Sequence, residues 1–298
     1  MNTLIVITGP TGVGKTATAI GIAQALSAEI ISADSRQLYR DIPVVTAAPT
    51  AEQLALVPHH FVGTLGLDEY YSAAQFESDV LELLPRLFDK SPYAVMCGGS
   101  MLYIDAVCKG IDDIPTISDE VRRRVYAEYE QYGLEYMLNR LKQLDPEHYE
   151  VVDRCNYKRV VHAVEICLQA GVPYSRLRTN QAKPRPFRII KIGLNLPREQ
   201  LFERINKRVI DMIDGGLLDE ARRVYPLRHL NSLNTVGLKE LFAYFDGTMD
   251  YETAVARIQK NTRVYAKKQL TWYAKDTDMR WFAPGDAAIM EYVMDVRD

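Results

Sequence analysis

A glycine-rich segment near the start of the chain is the first stretch that could do chemistry. Residues 9–16 read Gly-Pro-Thr-Gly-Val-Gly-Lys-Thr and fit the phosphate-loop pattern GxxxxGK[ST], between an apolar run and a helical pattern. Backbone N–H groups near Gly12 can converge on phosphate oxygens, Lys15 adds a positive charge, and Thr16 offers a hydroxyl to Mg²⁺. The pattern predicts a phosphate-binding loop made of Gly9, Pro10, Thr11, Gly12, Val13, Gly14, Lys15 and Thr16.

A carboxylate follows the next apolar run. Residues 29–34 read EIISAD, so Asp34 ends this segment, whereas the run at residues 93–99 carries no acid of the Walker-B kind. The carboxyl ends of neighbouring parallel strands open into one crevice, so we expect Asp34 to lie near the phosphate loop. There it could bind Mg²⁺ together with Thr16, or accept a proton from a nucleophile. The alternative is an aspartate that only caps a loop.

Strand and helix patterns alternate around these residues. Short β-branched apolar runs predict buried strands, and periodic apolar residues between them predict helices. This alternation is typical of an α/β fold with a doubly wound parallel sheet and helices on both faces. The predicted strands cover residues 4–8, 29–34, 93–99, 188–196 and 279–283, and the first helices cover residues 15–26 and 72–88.

The middle of the chain lacks strand patterns. Ser118 is placed to cap a helix that has acidic residues in its first turn, and a second helical pattern stops at Gly171. We therefore predict that an all-helical insertion interrupts the α/β core. The predicted segments are residues 1–113 (first part of the core), 114–187 (insertion) and 188–298 (second part of the core, with a long final basic helix at about 251–273).

Positive charge is unevenly distributed along the chain. The net charge is −3, but residues 154–191 contain 9 Lys+Arg and one acid, and residues 257–275 contain 6 basic residues and no acid. Local fields decide where a polyanion binds, so these two stretches favour a nucleic-acid partner unless they are ordinary solvated helix faces.

Composition excludes several other classes of protein. The 298 residues are 47% hydrophobic and 25% charged, as in globular proteins, and no apolar run is long enough to span a membrane. The four cysteines form no CxxC pair, which argues against structural zinc and against a disulfide framework. A cytoplasmic protein with no membrane partner is predicted.

Five motifs resemble, in order, the signatures of bacterial tRNA dimethylallyltransferases, also called tRNA isopentenyltransferases. They read GPTGVGKT, ISADSRQLYR, CGGSMLYI, KRVVHAVEI and NTRVYAKKQLTW, and the resemblance covers roughly residues 4–281. It implies a fold like that of P-loop kinases and transfer of a dimethylallyl group from dimethylallyl diphosphate to N6 of adenosine 37 in tRNA, with Mg²⁺ as cofactor.

In this chemistry the phosphate loop holds a leaving group. An allylic C–O bond breaks while negative charge grows on the diphosphate, which amides, Lys15, Mg²⁺ and an arginine would stabilise. The resemblance implies that Asp34 is the general base and that the hydroxyl of Ser100 lies near the diphosphate. It also makes Arg204 a diphosphate ligand and Arg208 a catalytic residue, unless both lie on a solvated helix face.

The resemblance further implies that the insertion grips the anticodon stem-loop of tRNA. The target base must be flipped out of its stack to reach a deep site. We expect a monomer whose affinity for tRNA falls as salt rises. The residues that correspond to tRNA contacts of the family are Asp34, Ser35, Arg36, Gln37, Arg122, Lys158, Arg159, Val160, Val161, His162, Lys267 and Lys268.

Some positions depart from the family, and other functions compete. Val45 and Ala48 replace a usual glycine and lysine, Cys155-Asn156 replaces Asn-Asp, and His162 replaces an arginine. These changes bear on tRNA contacts more than on the chemistry. The competing functions are a small-molecule kinase that uses ATP, a nucleotide-gated RNA-binding protein without transferase activity, and an enzyme that prenylates free adenine nucleotides.

Overall fold

A computed structural model describes residues 1–179 and 181–295 of the chain. The chain packs as two compact units, one formed by Met1–Cys108 with Pro184–Asp298 and the other by Lys109–Lys183. The second unit begins and ends a few residues before the predicted insertion at 114–187. The reason is that its two ends pair with each other: the Lys183 amide donates to the Lys109 carbonyl at 2.7 Å, and Lys183 Nζ lies 2.9 Å from Asp113.

The first unit is built on a six-stranded sheet. All of its strand pairings are parallel, which confirms the predicted doubly wound α/β class. The strands are β1 (Thr3–Thr8), β2 (Ile30–Ser32), β3 (His59–His60), β4 (Tyr93–Cys97), β5 (Arg188–Leu194) and β6 (Met279–Phe282), in the spatial order β3-β2-β4-β1-β5-β6.

Helices cover both faces of this sheet. Successive side chains of a strand point to opposite faces, so Leu4 and Val6 pack in one apolar cluster while Ile5 and Ile7 pack in another. The helices of the first unit are α1 (Lys15–Ala25), α2 (Ala51–Leu56), α3 (Ala73–Phe88) and α4 (Met101–Lys109), and, after the second unit, α9 (Arg198–Asp214), α10 (Leu217–Val224), α11 (Leu238–Phe245), α12 (Tyr251–Tyr273) and α13 (Ala288–Asp295).

One prediction about the end of the chain was wrong. The bounds predicted for the long basic helix match α12, but α12 is not the last helix, because α13 follows β6. This helix is short, and its buried residues Ile289 and Val293 are spaced by a single helical turn. So brief a pattern gives little periodic signal.

The second unit contains only helices among its described residues. They are α5 (Asp119–Leu144), α6 (Pro146–Val151), α7 (Tyr157–Ala170) and α8 (Tyr174–Leu177). As predicted, the Ser118 side chain caps α5 by accepting from the Val121 amide, and α7 ends at Gly171 in the left-handed conformation. Gly133, with φ of 76°, interrupts α5. Within the described residues, no helix is both long and apolar enough to cross a membrane.

Candidate active site

The phosphate loop joins β1 to α1 and depends on glycine geometry. Gly9, Gly12 and Gly14 have φ of 141°, 81° and 110°, values that side chains disfavour. A Cβ at Gly9 would also lie 2.3 Å from the carbonyl oxygen of Leu194 on β5. Glycine is therefore required both to turn the chain and to let the loop pass the neighbouring strand.

Lys15 lies across this loop. Its Nζ donates to the carbonyls of Gly9 at 3.1 Å and Pro10 at 2.9 Å. Burial lowers the pKa of Lys15 to about 8; nearby Arg208 adds to the shift and Asp34 opposes it. The ammonium group is thus a cation at neutral pH whose charge is sensitive to its surroundings.

One cavity brings the predicted chemical groups together. It has a volume of about 410 Å³ and is lined by the loop, by Asp34 after β2, and by Arg204 and Arg208 from α9. Burial lowers the pKa of the Arg208 guanidinium, and Asp34 opposes this shift. We call this space the loop cavity; its predicted residues are Thr11, Gly12, Gly14, Lys15, Thr16, Asp34, Gln37, Arg204 and Arg208.

The turn after β2 is braced against the turn after β4. A Cβ at Gly98 would lie 2.1 Å from the Ala33 carbonyl oxygen, so the two turns touch through their backbones. The Ser35 amide donates to the Ser100 hydroxyl oxygen at 2.8 Å, and an Asp34 carboxylate oxygen accepts from the Arg36 amide at 3.0 Å. Asp34 is thereby fixed at the mouth of the loop cavity.

A second cavity of about 360 Å³ adjoins the first. It shares Thr11, Asp34, Arg208 and Tyr265 with the loop cavity. Part of its wall is apolar, which suits an organic group attached to a phosphate held in the loop. We call this space the apolar cavity; its apolar side chains are Val45, Ile205, Val209, Met212, Leu217, Val236 and Ile258.

Several predicted residues occupy other positions than expected. Ser100 lines the apolar cavity and not the loop cavity, because its hydroxyl is bonded to Ser35. The side chain of Val13 is fully buried in the core, since it anchors the loop beneath α1. Gly9 and Pro10 are buried as well, and their carbonyls hold Lys15.

Arg36 and Gln37 bind neighbouring loops. Arg36 donates to the Ser232 carbonyl at 3.2 Å. Gln37 donates to the carbonyls of Thr46 and Ala47 and accepts from the Ser32 hydroxyl. These bonds order the walls of both cavities around Asp34.

The candidate tRNA-binding side chains of α7 divide by helical face. Lys158, Arg159 and His162 are exposed, and His162 Nδ1 lies 3.2 Å from a carboxylate oxygen of Glu165. Val160 and Val161 are almost fully buried in the core of the helical unit. The assignment of these two side chains as tRNA contacts was therefore wrong, because the helical period turns them inward.

The remaining predicted tRNA contacts lie on α5 and α12. Arg122 on α5 is half-buried, and Lys267 and Lys268 on α12 are exposed.

The sequence interpretation missed five polar residues that line the loop cavity, and one of them is Tyr265. Lys207 Nζ on α9 donates to Asp211 Oδ1 at 2.9 Å, and both side chains line the cavity. Gln53 and Gln269 line it as well. Gln269 lies on the buried face of α12, together with Ile258 and Tyr273. Its signal was there to be found, since a fully buried polar side chain on an apolar face needs bonding partners.

The donor set of the loop cavity fits Mg²⁺ only in part. Thr16 and Asp34 supply the hydroxyl and carboxylate oxygens that this ion prefers. Among residues 1–179 and 181–295, no cluster of three or more His, Cys, Asp or Glu side chains could hold a metal. The protein therefore fits an ion that takes its other oxygens from phosphates and water, as Mg²⁺ commonly does.

Comparisons with known proteins identify the family of this chain. The sequence profile described as IPP transferase matches residues 37–276. The chain is 58% identical to tRNA dimethylallyltransferase 2 of Parabacteroides distasonis, over 96% of both chains. This chain belongs to the IPP transferase family. Another family member, tRNA dimethylallyltransferase 1 of Phocaeicola vulgatus, is 55% identical over 99% of both chains.

Solved structures of related fold include two described as acting in tRNA prenyl transfer or on tRNA. The tRNA isopentenylpyrophosphate transferase of Bacillus halodurans is 32% identical, with a TM-score of 0.73 over 99% of this chain and 96% of that one. A eukaryotic dimethylallyltransferase acting on tRNA is 24% identical and has a TM-score of 0.86, over all of this chain and 81% of that one. The latter likeness concerns the fold alone.

Proposed function

We propose that this protein transfers the dimethylallyl group of dimethylallyl diphosphate to N6 of adenosine 37 in tRNA, and releases diphosphate. The observation that carries the proposal is the loop cavity, where a phosphate loop, a carboxylate and the half-buried Arg208 meet beside an apolar cavity. The family and the names of its members support tRNA prenyl transfer and not the kinase or RNA-binding alternatives.

The reaction breaks one bond and forms another. The allylic C–O bond of the diphosphate breaks, N6 of the adenine forms a bond to that carbon, and N6 loses a proton. In the proposal, Asp34 accepts this proton, because an exocyclic amine is a weak nucleophile until the proton is removed. The flipped base enters at the Asp34 turn, while Ser35, Arg36 and Gln37 shape the entrance.

Negative charge develops on the diphosphate as it leaves, and the phosphate loop can bind this anion. Free amides of the loop, Lys15, Arg204 and Arg208 would stabilise the departing diphosphate in a partly buried site. When bound, Mg²⁺ would supply a further positive charge at the phosphate oxygens, with Thr16 and Asp34 as its protein ligands. The neighbouring apolar cavity would take the five-carbon chain.

The tRNA would meet charge on two elements. Lys158, Arg159 and His162 on α7 offer cations or hydrogen bonds to the anticodon stem, and Lys267 and Lys268 on α12 offer charge to the backbone. The protein would act as a monomer. Four free cysteines support a cytoplasmic location.

A labelling experiment tests the proposal. The protein is incubated with radiolabelled dimethylallyl diphosphate, Mg²⁺ and unmodified tRNA, beside a reaction that contains labelled ATP and small-molecule acceptors. We expect label in tRNA, and its loss when adenosine 37 is replaced by guanosine. Phosphate transfer from ATP without prenyl transfer would establish the kinase instead.

A further inference from the structure

One carboxamide joins the two loops that flank the loop cavity. Gln269, on α12, is 1% exposed. Its Oε1 accepts from the Thr11 amide at 2.8 Å, and its Nε2 donates to the Gly99 carbonyl at 2.8 Å. Thr11 belongs to the phosphate loop after β1, and Gly99 belongs to the turn after β4.

The fit around this carboxamide is tight. A Cβ at Gly99 would lie 2.4 Å from Gln269 Nε2, so a side chain there would displace the carboxamide from its present position. Tyr265, one turn earlier on α12, points its hydroxyl at the same Gly99 carbonyl at 3.4 Å. A long helix thus inserts two polar side chains between loops that are far apart in the sequence.

The bonds of Gln269 reach both halves of the proposed reaction. On one side, Thr11 leads into the amides that would hold diphosphate. On the other side, Gly99 precedes Ser100, whose hydroxyl accepts from the Ser35 amide next to Asp34. Gln269 therefore adds a side-chain link between the diphosphate cradle and the turn that holds the carboxylate, beside the Thr8 hydroxyl, which donates to the Gly98 carbonyl at 3.1 Å.

We propose that Gln269 is a positioning residue that fixes the phosphate loop against the Gly99 turn, so that the loop binds diphosphate in a preorganised form. It also keeps the Thr11 amide turned away from the ligand, which leaves the later loop amides as the anion donors. This inference deepens the proposed function and rests on it for the identity of the diphosphate. Leaving both loop groups unpaired should loosen the loop, because buried polar groups need partners.

The first test replaces Gln269→Met, which keeps the side-chain length but removes both hydrogen bonds. The dissociation constant of inorganic pyrophosphate with Mg²⁺ is measured by calorimetry, and that of unmodified tRNA by filter binding. We expect pyrophosphate to bind about tenfold more weakly, the cost of about one hydrogen bond. tRNA affinity should stay within about twofold, because the exposed face of α12 is unchanged.

A matched control lies on the same helix. Gln259 is half-buried, and its Nε2 donates to the Asn206 carbonyl at 3.4 Å on α9. Gln259→Met should leave the affinities for pyrophosphate and tRNA within about twofold of the wild type, because it makes no bond to either loop. A Gln269→Met protein that binds pyrophosphate like the wild type, or that loses both ligands equally, would overturn the proposal.

A second variant tests whether the carboxamide lies beside the diphosphate cradle. Gln269→Glu keeps an acceptor for the Thr11 amide, but it loses the donor to Gly99 and adds a negative charge beside the cradle. We expect pyrophosphate to bind about a hundredfold more weakly, more than in Gln269→Met, because like charges repel in a buried site. An equal or smaller loss than in Gln269→Met contradicts the assigned geometry.

The transferase assay distinguishes a failure of the proposed function from a failure of the role proposed for Gln269. If Gln269 positions the loop, the KM for dimethylallyl diphosphate rises about tenfold in Gln269→Met while the KM for tRNA is unchanged. If wild-type protein transfers no prenyl group, the proposed function fails. Pyrophosphate binding still tests the role of Gln269, because that measurement needs no turnover.

Discussion

The phosphate loop and the first turns of α7 both offer positive charge to an anion, but they are built from different parts of the chain. The loop uses backbone amides, three glycines with positive φ, and a half-buried Lys15 whose Nζ donates to two carbonyls. The face of α7 uses the exposed side chains of Lys158 and Arg159.

This difference predicts how the two regions respond to change. A buried site with fixed donors acts in a low dielectric, so single substitutions there should have large effects. Exposed cations act through water and are screened by salt, so each should contribute modestly and be replaceable by neighbours. The predictions below test this contrast, beginning in the loop cavity.

The largest effect is expected for Asp34→Asn. Removal of a general base should lower kcat about a thousandfold, while the affinity for tRNA stays within about twofold. Single-turnover prenyl transfer and filter binding measure the two quantities. Asp41→Asn, farther along the same loop and outside the lining of both cavities, is the control. If Asp34→Asn still turns over but needs a higher Mg²⁺ concentration, Asp34 is a metal ligand and not the general base.

The pH dependence of pyrophosphate binding should follow Lys15. Its pKa of about 8 in the free protein means that the cation is present below pH 8 and is lost as the pH rises through that value. We expect affinity to fall roughly tenfold between pH 7 and pH 9, as the protonated fraction falls. Calorimetry at a series of pH values measures this.

The matched variant for this prediction is Lys15→Arg. A guanidinium stays protonated over the whole range, so the variant should lose the part of the pH dependence that belongs to the protein. Equal pH profiles for the two proteins would show that another group, or the ligand itself, titrates.

The contrast between the regions also explains what the sequence alone could predict. The loop and the place of Asp34 were predictable because glycine geometry and parallel strands restrict the backbone to few arrangements. Gln269 was missed because its role comes from a contact between residues 258 positions apart. Local periodicity places it on a buried face but does not name its partners.

Fold prediction met the same limit. The predicted strands agree with the observed ones to within a few residues, whereas α13, which has only eight residues, was missed. Such short elements carry few periods of any pattern and are specified mainly by tertiary packing.

A smaller effect is expected on the exposed face. The double variant Lys158→Ala with Arg159→Ala should weaken tRNA binding about fivefold to tenfold near physiological salt, and reduce the slope of log affinity against log salt by about two. Filter binding at several salt concentrations measures both. Arg154→Ala is the control, because Arg154 Nη2 already lies 3.0 Å from a Glu150 carboxylate oxygen. If the double variant has the same salt slope as the wild type, the exposed face of α7 does not contact the tRNA backbone.

The smallest effect on tRNA is expected one residue further along α7. Val160 is 0% exposed and packs in the core of the helical unit. Val160→Ala should lower the free energy of unfolding by about 1–2 kcal/mol through lost burial, measured in urea, and leave tRNA affinity within about twofold. Arg159 and Val160 would then have different roles, one in binding tRNA and the other in stability. The reason is that each residue of a helix is rotated by about 100° from the one before, so adjacent side chains can face solvent and core. Weaker tRNA binding in Val160→Ala with unchanged unfolding would show instead that the valine reaches the RNA, and that the two faces of α7 are not separate.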